Sequence, residues 1–162
     1  MLNGRAIFAC CAVMVWSALA GFAAGSDVAD AAMKSDKVAV RTLLEKKADV
    51  NAAQKDGATA LHWAVWREDA EMVGMLIRAG ANVNAANKEG ATPLFLASAN
   101  GSAAILELLL KAGVDPNVRT SEFGDTALML AARSGRLDAV KALLDHGANP
   151  NTDRKSTRLN SS

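Results

Sequence analysis

Gly57-Ala58-Thr59-Ala60-Leu61-His62-Trp63-Ala64 returns, changed but aligned, as Gly90-Ala91-Thr92-Pro93-Leu94-Phe95-Leu96-Ala97 and as Gly124-Asp125-Thr126-Ala127-Leu128-Met129-Leu130-Ala131. The step is 33 residues from Gly57 to Gly90 and 34 from Gly90 to Gly124. A second signature recurs in phase: Gly80-Ala81-Asn82-Val83-Asn84, Gly113-Val114-Asp115-Pro116-Asn117 and Gly147-Ala148-Asn149-Pro150-Asn151. An apolar pair precedes each of these glycines: Leu76-Ile77, Leu109-Leu110 and Leu143-Leu144. A fixed period of this length means one supersecondary unit repeated and stacked.

Each unit can be read from local chemistry. Thr59, Thr92 and Thr126 suit the N-cap of a helix, where a hydroxyl accepts a bond from an otherwise unpaired amide. Pro93 then falls at the first helical position, where its missing N–H costs nothing. A short inner helix is expected over about Ala60 to Arg67. Gly101 and Gly135 allow the chain to reverse with positive φ. Glu68 holds that place in the first full repeat; left-handed geometry there would cost about 1 kcal/mol. An outer helix over about Ala70 to Ala79 would stop at Gly80. Its buried stripe is Val73, Leu76 and Ile77, repeated as Leu106, Leu109, Leu110 and as Val140, Leu143, Leu144. One helix pair cannot bury both of its faces, so each unit must lean on the next.

On these two signatures the chain resembles the ankyrin repeat family, with its Thr-Pro-Leu-His-x-Ala motif. The resemblance covers about residues 28 to 153 and implies an all-α solenoid of stacked helix-turn-helix units joined by hairpin loops. Residues 26–56 make a degenerate N-terminal capping repeat, with Ala31-Ala32 and Leu43-Leu44 one period before Ala64-Val65 and Leu76-Ile77. Full repeats follow at 57–89, 90–123 and 124–153. The one-residue insertion near Thr120 to Phe123 falls at a hairpin tip, where insertions are tolerated.

Ahead of the repeats, Arg5 is the one charge before an uncharged run from Ala6 to Ala24. A basic start, an apolar stretch and small residues near its end read as a secretory signal over residues 1–25. The alternative is an uncleaved anchor, since the run is just long enough to cross a bilayer. The body is then periplasmic or secreted, or tethered to the inner membrane by residues 6–24. Leu19-Ala20-Gly21 is followed by Phe22 and not Cys, which argues against lipidation. Both cysteines, Cys10 and Cys11, lie in this segment, so cleavage would leave no thiol.

Composition narrows the function classes. The chain has 162 residues, 18 Lys+Arg against 17 Asp+Glu, and only 4% aromatic residues. No basic stripe of the kind nucleic acid demands is visible, so no nucleic-acid partner is expected. His62 sits at the motif histidine, which the resemblance implies is a structural strut. His146 lies at the last turn of an outer helix, where a basic group suits the dipole. Two isolated histidines without cysteine partners make no metal site, and no metal or cofactor is expected. Ser35, Ser98, Ser102 and Ser134 lack a matching His and Asp arrangement and a Gly-x-Ser-x-Gly elbow. Glu71, Glu107 and Asp138 read as solvated outer-helix faces. The reading is a non-enzyme with no small-molecule substrate. Asn100-Gly101-Ser102 and Asn160-Ser161-Ser162 match the glycosylation pattern, a short motif that arises often by chance.

Binding remains. The resemblance implies partner contacts at the hairpin tips and along the exposed side of the inner helices. The tips are Lys55, Asp56 and Ala58, then Lys88, Glu89 and Ala91, then Glu122, Phe123 and Asp125. The inner-helix positions are Trp66 and Arg67, Ala99 and Asn100, Arg133 and Ser134. Trp66 and Arg67 are of the types favoured at binding hot spots. Trp66 reads either as a contact or as cover for a neighbouring repeat, whereas Trp63 reads as packing. The partner is a protein that the sequence does not identify.

After Asp153 a further repeat would open with Gly-x-Thr-x-Leu, but the chain reads Arg154-Lys155-Ser156-Thr157-Arg158-Leu159-Asn160-Ser161-Ser162. Residues 154–162 are therefore expected to be a non-repeat tail, either the scar of a truncated reading frame or a terminus folded over the last repeat. Under truncation the array would be a fragment, and an alternative function is the targeting arm of an exported enzyme.

Overall fold

The computed structural model describes residues 26–119 and 124–151. The expected signal or anchor segment, the insertion at Thr120 to Phe123 and the expected tail lie outside them. The described residues form eight helices in four pairs: α1 (Asp27–Met33), α2 (Lys37–Glu45), α3 (Ala60–Trp66), α4 (Ala70–Arg78), α5 (Pro93–Asn100), α6 (Ala103–Lys111), α7 (Ala127–Ser134) and α8 (Leu137–Asp145). Successive inner helices α1, α3, α5 and α7 pack side by side, and α4, α6 and α8 line up behind them. Lys37 fastens α2 to α4, reaching Asp69 at 3.0 Å and Glu71 at 2.7 Å.

Local chemistry sets the helix ends. Thr92 Oγ1 accepts from the Phe95 amide at 3.2 Å, and Thr126 Oγ1 from the Met129 amide at 3.4 Å. Asp36 and Asp69 start the outer helices α2 and α4 in the same way, accepting from Ala39 and Met72. Gly101 (φ 67°) and Gly135 (φ 72°) turn the chain left-handed between the paired helices. Glu68 does so at φ 55°, as its alignment with those glycines requires. Gly57 combines positive φ with close approach, because a Cβ there would lie 3.0 Å from the Lys88 amide nitrogen. Inner and outer helices each stop one residue earlier than their pattern suggests, with Arg67 and Ala79 serving as C-caps.

The core runs the length of the stack. Leu61, Val65, Val73 and Leu76 in one repeat, and Leu94, Leu106 and Leu109 in the next, are almost fully buried. Burial of each such side chain stabilises by about 1.5–3 kcal/mol. Two asparagines stitch neighbouring loops. Asn51 Nδ2 donates to the Gly80 carbonyl at 3.2 Å while its Oδ1 accepts from the Asn82 amide at 2.7 Å. Asn117 repeats this with Gly147 and Asn149, at 3.1 and 2.8 Å.

The apolar stripe of the last repeat departs from expectation. Val140 is half-buried and Leu144 is 43% exposed, whereas Leu110, its counterpart one repeat earlier, is 7% exposed. Ile77 is also only half-buried. Leu110 has a following repeat over it, whereas among the described residues none follows α8 to cover Leu144; Leu143, turned toward its own repeat, is buried without one. Leu128, Met129, Val140, Leu144 and Pro150 therefore line an open apolar hollow at this end.

Candidate functional site: a groove between the second and third repeats

A groove of about 350 Å³ opens between α3, α5 and the hairpin tips that precede them. Trp63, Trp66, Phe95 and Leu96 form its apolar surface, and Ala58, His62 and Ala91 its floor. Asp56, Asn87 and Glu89 come from the tips. The two tips are joined, since the Lys88 amide donates to the Asp56 carbonyl at 2.9 Å.

The groove is held by bonds made from behind. Trp63 Nε1–H donates to Gln54 Oε1 at 2.7 Å, and Gln54 Nε2 donates in turn to Asp30 Oδ1 on α1. One indole is thereby oriented through a polar chain that reaches the first repeat. Trp66 has the opposite character: 60% of it is exposed, among the most exposed large apolar side chains described.

His62 works as the strut that the motif implies. Its Nδ1 accepts from the Thr59 amide at 3.1 Å and contacts Thr59 Oγ1 at 2.9 Å, which leaves Nε2–H to donate to the Ala91 carbonyl at 3.0 Å. The ring thus spans two repeats in one neutral tautomer. Burial holds its pKa below the usual histidine value, outweighing the Ala91 bond and the charge of Asp56, which favour protonation. Protonation would also set Nδ1–H against the Thr59 N–H donor.

The expected contact residues separate into several sets. Trp66, Asp56, Ala58, Glu89 and Ala91 meet at the groove. Ala58 is only 6% exposed, so its methyl belongs to the stack and offers a partner little surface. Lys55 and Lys88 are exposed at the tips but do not line the groove. Arg67 is exposed, yet its Nη2 donates to the Met33 carbonyl at 2.6 Å and clasps the end of α1. Ala99 is exposed and Asn100 half-buried at the end of α5. Asp125 departs from its tip assignment: it is 3% exposed and accepts from Arg133 Nη1 at 3.2 Å. It stands at the repeat position of Ala58, which is also buried, and the α7 guanidinium pairs with its carboxylate there. Ser134 is half-buried and donates to the Ala131 carbonyl at 2.7 Å. Glu122 and Phe123 lie outside the described residues.

Sequence reading missed Phe95, Leu96 and Asn87 as groove residues, and gave Trp63 to packing alone. Phe95 had a signal, because it stands 33 residues after His62 at the same place in the motif. Elsewhere, His146 Nδ1 lies 2.9 Å from the Ala142 carbonyl, a bond within α8 and its cap. Among the described residues no group of three His, Cys, Asp or Glu side chains is placed to hold a metal ion. No described helix is long and apolar enough to cross a membrane.

A sequence profile described as ankyrin repeats (3 copies) matches residues 68–154, and one described as ankyrin repeats (many copies) matches residues 28–77. No curated protein matches the chain. The fold defines a helical-repeat protein, and the profiles with the stacked helix pairs place this chain in the ankyrin repeat family. Ankyrin repeats are generally protein–protein interaction modules, and the family is typically a non-enzymatic scaffold.

Proposed function

We propose that the chain is an exported interaction module that seats a protein partner in the groove beside Trp66. The observation that carries this reading is the exposed Trp66 indole, which lines one groove with Phe95 and with Trp63, itself held by Gln54. An aromatic side chain in a preformed hollow adds contact area with little further loss of freedom, the usual character of a binding hot spot. Tips bearing Lys55, Asp56, Lys88 and Glu89 supply a polar rim. The test is photo-crosslinking in the exporting cell. A photoreactive residue at the exposed position 99 traps a partner, and Trp66→Ala in the same chain abolishes the adduct. The same probe at the exposed position 137, on α8, traps none. Trapping at 137 alone would refute the groove.

Export rests on the single charge of Arg5 and the uncharged run after it. Intact mass of the exported chain checks this. Loss of about the first 25 residues is the expected result. A full-length chain in the membrane fraction supports the tethered alternative, and a wholly cytoplasmic chain refutes export.

A further inference from the structure

The groove has a chemical character beyond its shape. Its apolar surface is largely aromatic, from the indoles of Trp63 and Trp66 and the ring of Phe95. Two carboxylates, Asp56 and Glu89, come to it from successive tips. Asp56 Oδ1 accepts from the Ala58 amide at 2.9 Å, which fixes that carboxylate in place. Among the described residues neither acid has a Lys or Arg ion-pair partner; the described ion pairs involve Lys37, Lys111, Arg133 and His146. Lys55 and Lys88 are not among its lining residues, and Arg67 is turned to the Met33 carbonyl. His62 is the remaining titratable group facing it, and its bonds to Thr59 and Ala91 fit the neutral ring.

We propose that this groove receives a positively charged side chain, Lys or Arg, from the partner, an assignment that rests on the groove being the binding site. A cation above an indole face is attracted by the ring quadrupole, and the two carboxylates add charge of the complementary sign. An apolar side chain would satisfy the rings but would desolvate Asp56 and Glu89 without a counter-charge, which is unfavourable. An acidic side chain would meet direct repulsion. The next junction along the stack lacks this chemistry. Ala99 stands where Trp66 stood, Leu96 where Trp63 stood and Met129 where Phe95 stood. The aromatic part of the cation site is therefore not repeated at the next junction, which distinguishes the two along an otherwise repetitive surface.

The probe is a displayed library of random peptides selected on the full chain, followed by affinity measurements on the selected peptides. Peptides bound by the wild type should share a Lys or Arg at a constant place. Replacing that residue with uncharged citrulline or Gln should weaken binding about tenfold, as should D56N/E89Q in the protein. D56N keeps the oxygen that accepts from Ala58, and both positions are exposed, so the melting temperature should not move. Peptides that need Trp66 yet carry no basic residue, or that bind D56N/E89Q equally well, would overturn the cation site and leave the groove standing. Peptides indifferent to Trp66→Ala, or no selected peptide at all, would overturn both.

Discussion

Truncating Leu110 and Leu144 to Ala removes the same atoms from the same repeat position, 34 residues apart. Leu110 is 7% exposed and lies under the following repeat, so its loss leaves a closed cavity between α6 and its neighbours. Removal of a leucine in that setting costs about 2–4 kcal/mol, the transfer term and the cavity term together. Leu144 is 43% exposed in the open hollow at the end of the stack. There, about half of the transfer term is already absent and water fills the space, leaving a cost of about 1 kcal/mol. The two variants should therefore differ by about 2 kcal/mol, or roughly thirtyfold in the unfolding equilibrium. Urea unfolding of the full chain, followed by far-ultraviolet circular dichroism, measures this with the wild type as reference. Equal losses would refute the reasoning, because Leu144 would then be covered in solution by a surface other than the described residues. The same measurement thus asks whether the hollow beside Leu128 and Val140 stands open in solution.

Left-handed positions give a second prediction. Glu68→Gly should raise stability by about 0.5–1 kcal/mol, seen as a melting temperature about 3 °C higher, because φ there is 55°. Gly101→Ala should do the reverse and cost more than 2 kcal/mol, roughly, since its Cβ would come within 2.5 Å of Arg136 Cγ as well as adopt positive φ. A neutral Gly101→Ala in chemical denaturation would contradict that packing. His62 sets a pH dependence of known sign. Its pKa is lower in the fold than its ordinary value of 6.5, so the unfolded chain binds a proton that the fold resists. This contribution is complete above pH 6.5 and declines as pH falls from there towards the folded pKa. Denaturation midpoints across this window should decline in the wild type, and less in His62→Met, which takes the residue type found at Met129; parallel declines would count against the strut.

Much of the architecture is legible without coordinates because its determinants are local or periodic. A threonine hydroxyl caps the amide three residues on at Thr92 and Thr126, whereas Thr59 Oγ1 meets the His62 ring. Positive φ at Gly101 and Gly135, and at Glu68 by alignment, follows from a turn that the period places. The stripes Val73-Leu76 and Leu106-Leu109 declare a buried face because a helix returns to one side every three or four residues. Trp66 and Arg67 are legible as candidates by type and position, but their different roles are not.

Those roles depend on contacts between residues far apart in the chain. Arg67 turns to Met33, 34 residues away, and Trp63 reaches Gln54 and through it α1. Asp125, at the buried position of Ala58, pairs with Arg133, whereas Asp56, two residues before Ala58 in its tip, is exposed and lines the groove. Sequence alone therefore determined the repeat, its caps and most of its core, all set by hydrogen bonding and periodicity within one unit. Only the stacking of units decided which side chains are covered, which are clasped, and which meet as a groove. Burial of a repeat face is supplied by the neighbouring repeat, and the pattern within a single unit carries no record of that neighbour.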